Sequence, residues 1–141
     1  MKEKFLFDQN VKKITIEVII GTPGIANTQI YRRGNGDETM KIGESPLENA
    51  NVAEVSLGDL TRLEKKSLAV QTIINLGAID RKLWPQIIKT ISSHYIIKDN
   101  LGNQKNYEHD ADDIIVSNDG KTVFIIKLFN FQRKSILDNL N

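Results

Sequence analysis

Glu108, His109, Asp110, Asp112 and Asp113 form the densest group of chemistry-bearing side chains in the sequence. Carboxylate oxygens suit hard cations such as Ca²⁺, and an imidazole adds a ligand that transition metals accept. Glu108, His109, Asp110 and Asp112 are therefore candidate metal ligands, and a metal-dependent hydrolase built on residues 108–113 is one functional reading. The spacing falls short of an EF-hand, which requires glycine at the sixth loop position and glutamate at the twelfth, and no His-Glu-x-x-His run occurs. A loop that solvates like charges accounts for the same residues without any ligand.

His94 and His109 are the only histidines. Ser92 and Ser93 stand beside His94, but neighbours on a strand point to opposite faces, and no Gly-x-Ser-x-Gly elbow is present. His94 is expected to be a surface or cross-strand residue. Gly21-Thr22-Pro23-Gly24 lacks the Lys-Ser/Thr of a phosphate loop and reads as a plain turn. With 18 acidic residues, carboxylate pairs are unavoidable and identify no glycosidase.

The remaining candidates are apolar. Phe5 and Phe7, with Leu6 between them, lie near the start, and Ile136 and Leu140 lie near the end. Each set could reach a partner subunit. Trp84 sits beside Arg81 and Lys82, where it could anchor a partner, act as a stacking platform with Tyr31 or Tyr95, or plug one end of a core.

Composition narrows the classes. There is no cysteine, which removes thiol catalysis, Cys-ligated zinc and disulfides. Lys and Arg number 19 against 18 Asp and Glu, so no strong field toward nucleic acid or an anionic membrane is expected. No residue pattern calls for a cofactor. The apolar stretch near Met1 is too short for a secretory signal, and no segment approaches the ~20 apolar residues of a membrane span, so a cytoplasmic location is expected.

The elements that must position these residues read mainly as strands. Residues 121–131 are rich in β-branched and aromatic side chains and apolar on both parities, which predicts a central strand covered on both faces. Ile14, Ile16, Val18 and Ile20 alternate with Thr15 and Glu17 in a half-buried strand. Residues 27–33 and 38–43 flank a predicted turn at 34–37. Asn118-Asp119-Gly120 predicts a hairpin into the last strand. Residues 59–66 read as one helical turn or a connection with Leu60 and Leu63 pinned inward, and the connection is expected because helices this short are marginal. Residues 80–91 have helical spacing, but Pro85 opposes a helix, so one turn at 80–84 followed by strand is expected. The predicted fold is one all-β domain over 1–141: an antiparallel β-sandwich, or a small open barrel, with at most one or two short helices and with arms at 1–10 and 132–141 free to move. The expected role is a non-enzymatic interaction module, a subunit or accessory of an assembly, contacting a protein partner or another copy through Phe5, Phe7, Trp84, Ile136 and Leu140. A small-ligand or carbohydrate-binding sandwich is the alternative.

Overall fold

The computed structural model describes residues 2–33, 39–47, 49–64 and 66–135. The predicted turn at 34–37 and the tail residues Ile136 and Leu140 lie outside them. Among the described residues ten strands form two sheets packed face to face, with no closure into a barrel. The first sheet contains β1 (Lys2–Phe7), β3 (Ile25–Arg33), β4 (Met40–Glu44), β6 (Ser67–Asn75), β9 (Ile114–Val116) and β10 (Thr122–Arg133). Its order is β1-β10-β6-β3-β4, and β9 also pairs with β10. The second sheet runs β5 (Val52–Ser56), β2 (Ile14–Gly21), β7 (Ser92–Asp99), β8 (Gln104–Tyr107).

Alternation decides which side chains meet between the sheets. Ile14, Ile16 and Val18 of β2 and Tyr95 and Ile97 of β7 face Ile30 of β3, Leu68 and Val70 of β6 and Phe129 and Phe131 of β10 in the main core. A smaller cluster, Ile74, Leu76, Ile91, Val123 and Ile125, fills the other end under Ile79, Trp84, Ile87 and Ile88.

Four expectations need correction. Residues 1–10 do not form a free arm: β1 pairs in parallel with β10 from Lys2↔Leu128 to Phe7↔Arg133. This is the one parallel pairing among otherwise antiparallel ladders of the described residues. Phe5 and Phe7 are consequently buried, Phe5 against the Phe131 ring at 5.9 Å, and offer no surface to a partner. Residues 84–90 are helical (α2, Trp84–Thr90) after a 3₁₀ turn at Arg81–Leu83. Pro85 falls in the first turn of α2, where a missing N–H breaks no helical hydrogen bond. β10 is central in its sheet but covered on one face only: Val123, Ile125, Phe129 and Phe131 are buried, whereas Phe124, Ile126 and Leu128 are half-exposed. Residues 60–64 form a short helix (α1, Leu60–Glu64), which does bury Leu60 and Leu63.

Candidate functional site

Lys127 lies on the core-facing side of β10, between Ile125 and Phe129, and its side chain is 0% exposed. An ammonium cannot be buried alone, because the desolvation cost is large without an opposite charge. Three carboxylates supply it. Nζ donates to Asp110 Oδ2 at 3.1 Å, Glu3 Oε1 at 3.2 Å and Asp113 Oδ2 at 3.2 Å. β1 brings Glu3 beside Phe129 through the parallel register. A 3₁₀ turn over Ala111–Asp113 brings the two aspartates. The Asp110 N–H donates to Asp113 Oδ2 at 2.7 Å, and the Asp113 N–H donates to Asp110 O at 3.0 Å, which fixes the turn.

The predicted metal ligands separate around this ammonium. Oxygens of Asp110, Asp112 and Asp113 lie within 4.8 Å of one another, but Lys127 already holds two of the three. Glu108 lies instead 3.8 Å from His94, both exposed on the outside of the second sheet. His109 Nδ1 pairs with the Ser93 hydroxyl, and the His109 N–H donates to the same oxygen at 3.0 Å. Only Asp110 and Asp112 of the four predicted ligands share one place.

The electrostatics make the cluster a tie between elements. Burial works to lower the Lys127 pKa, but the bonds from Asp110, Glu3 and Asp113 outweigh it and hold the ammonium above the ordinary lysine value. Lys127 is thus protonated at neutral pH and serves as neither base nor nucleophile. Burial works to raise Asp113, yet the Asp110 amide and the Lys127 ammonium hold its carboxyl below the usual range. Burial lowers the His109 pKa, against the pull of Asp113, and favours a neutral ring. Ser93 is buried and accepts from the His109 backbone, so the Ser93–His109 pair anchors the loop after β8 and leaves no accessible nucleophile.

Tyr95 and Tyr107 both set their rings edge-on to Phe129, at 5.8 and 5.2 Å. Among the described residues their hydroxyls are buried without a hydrogen-bond partner, the Ser93 hydroxyl beside Tyr95 being committed to His109. Burial pushes both phenols up to about 12. A buried phenol that donates to nothing costs about 1–3 kcal/mol relative to its hydrated state. Tyr95→Phe and Tyr107→Phe are therefore expected to leave stability unchanged or to raise it by up to about 1 kcal/mol, against the usual direction for core substitutions. Urea unfolding measures this, and a clear loss in either variant would show that its hydroxyl is satisfied.

Tyr95 is too deeply buried to serve as an outside platform. Trp84 is half-buried: its indole N–H donates to Ile79 O at 3.0 Å, and Arg81 stacks 5.7 Å from the ring centre. It closes the end of the smaller core.

Sequence reasoning missed one surface, the outside of the first sheet. Side chains opposite in parity to the core stand there in rows: Ile115–Phe124–Ile73 and Leu128–Ala69–Tyr31, with Ile126 between them. Ile115 and Ile73 are exposed, and Phe124, Ile126, Leu128 and Tyr31 are half-exposed. A shallow depression of about 380 Å³ opens among Tyr31, Arg33, Thr39, Ala69, Gln71 and Ile126. Lys2 and Lys4 on β1 and Arg33 on β3 stand on the same face, while Glu44 is held by Lys41 at 2.9 Å. The signal was available in Phe124, Ile126 and Leu128, which read as a second buried side instead. No helix among the described residues is long and apolar enough to cross a membrane. The chain matches no protein-family model, no curated protein and no solved structure.

Proposed function

We propose that the chain is a non-enzymatic interaction domain, a subunit or accessory of a protein assembly, that docks a protein through the outside of its first sheet. The observation that carries this reading is the set of apolar rows across β9, β10 and β6, which no described element covers, on a sheet whose other face is packed. Contiguous exposed apolar area of this kind marks contact surfaces. Lys2, Lys4 and Arg33 give the rim a positive bias. Two copies placed face to face would bring cations against cations, so the rim favours a different protein with an acidic border. Asn27, Gln29 and Gln71 interrupt the apolar rows, which suits a polar-rimmed protein contact better than insertion into hydrocarbon.

The test compares wild type with Ile73→Lys/Ile126→Lys. Affinity capture from an extract of the native host is expected to yield a protein that the double variant loses. The purified partner should then bind wild type more weakly as salt rises and bind the variant poorly. Capture that ignores these substitutions would refute the surface. Sedimentation of wild type alone adds a second arm: a dimer that the substitutions dissolve would make another copy the occupant and overturn the partner assigned here.

A further inference from the structure

A second surface feature borders that sheet face at Thr39 but is built around a different arginine. Arg32 points to the core side of β3, opposite in direction to Tyr31 and Arg33, and is only 7% exposed. Its guanidinium is always charged and carries five donors in a planar fork. The one hydrogen bond it makes among the described residues goes to a weak acceptor, Met40 Sδ, at 3.5 Å. Gly58 holds the group from the other side: a Cβ there would stand 2.9 Å from Nη1, and φ is +82°. No other residue fits that contact and that backbone together. Among the described residues, the acids at the start and end of α1 are engaged elsewhere. Glu64 pairs with Arg133 at 3.1 Å, and Asp59 accepts from the backbone of Thr61 at 2.8 Å. Arg32 opens onto a cleft of about 480 Å³ that Thr39, Met40, Arg62 and Lys66 also line. Among the described residues neither Arg32 nor Arg62 pairs with a carboxylate.

We propose that this cleft binds a phosphate monoester, with Arg32 as the buried anchor and Arg62 as the second cation at the mouth. A buried, permanently charged group with no carboxylate paired to it among the described residues is a site that an anion completes. The two guanidinium groups carry two positive charges, which matches a phosphate monoester near neutral pH, whereas a monocarboxylate would leave one uncompensated. Guanidinium forks also fit the paired oxygens of a phosphoryl group. The volume exceeds what a bare phosphate fills, and Met40 offers an apolar wall to the esterified group.

Titration calorimetry of the full chain at low salt tests this, with glycerol 2-phosphate, inorganic phosphate and acetate as probes. The ester is expected to bind more tightly than inorganic phosphate, and acetate to bind least. Arg62→Gln, at an exposed position, should keep the fold and weaken the ester by about tenfold or more. Arg32→Gln should abolish binding, with circular dichroism confirming that it folds. Ile73→Lys/Ile126→Lys should bind the ester as wild type does, which separates this site from the sheet face. Vesicles containing phosphatidic acid distinguish the source: co-sedimentation assigns a lipid headgroup, and binding of the soluble ester alone assigns a free metabolite. Absence of heat with the ester, equal binding of acetate, or an Arg62→Gln variant that binds like wild type would each overturn the proposal.

Discussion

Lys127→Met is expected to cost about 3–5 kcal/mol of unfolding free energy, because it removes the buried ammonium that Glu3, Asp110 and Asp113 share. Asp113 is the exposed nerve of this change: its side chain is 4% exposed, and it cannot turn to water. The variant Lys127→Met/Asp113→Asn should recover part of the loss, since the cost lies in the buried carboxylate charge that Lys127 no longer offsets more than in the missing ammonium. The pH dependence gives a second readout. In the wild type the Asp113 pKa is held below its unfolded value, so its contribution is present above about pH 4 and is lost as pH falls through the folded pKa. The Lys127 pKa is raised, so its contribution is present below about pH 10 and is lost as pH rises through the folded value. Between these limits the tie is at full strength. The gap between wild type and Lys127→Met should therefore be widest near neutrality and narrow as the carboxylates are protonated toward about pH 4. Urea unfolding across that range measures it. A difference under about 1 kcal/mol at pH 7 would show that the cluster is solvated.

The second large effect is expected at Phe7. Its ring is 1% exposed, with the Arg133 guanidinium 4.7 Å from the ring centre, and the Phe7 carbonyl accepts from the Lys134 N–H at 2.7 Å. Phe7→Ala should cost about 3–5 kcal/mol. Leu6→Lys, one residue earlier and 51% exposed, should stay within about 0.5 kcal/mol. Guanidinium unfolding of the two variants distinguishes a strand from an arm. Equal, small effects at both positions would mean that β1 does not hold in solution.

What could be read from sequence followed from local pattern. The Asp119-Gly120 hairpin, the inward parity of Ile14, Ile16 and Val18 and the two packed sheets rest on period-two patterning and turn chemistry, which neighbours in sequence determine, whereas Thr15, expected on the wet face, is buried. The failures have physical causes. β1 carries too few apolar residues to announce a strand, and its partner lies more than a hundred residues away. Pro85 was read as a breaker because its harm depends on position in the helix, and the helix start was not visible. The acidic residues 108–113 pointed to a cluster of charge, and the cation that the fold brings to Asp110 and Asp113 is Lys127. Lys127 falls on the apolar parity of its strand, and a lysine there demands buried carboxylates, yet the surrounding hydrophobic run concealed it. Arg32 is concealed differently: it stands beside another arginine next to a predicted turn, and only tertiary packing buries it.

One property of the last strand bears on how the chain matures. β10 touches β1, β6 and β9, and it is the last of the ten described strands to leave the ribosome. Until then β1 has no ladder to join, and the edge of β6 that β10 will occupy stands open on the nascent chain. Such an edge is a template for pairing between molecules, and long-range pairings of this kind form slowly. Protection by a holding chaperone during synthesis should therefore matter more to this protein than its final stability suggests.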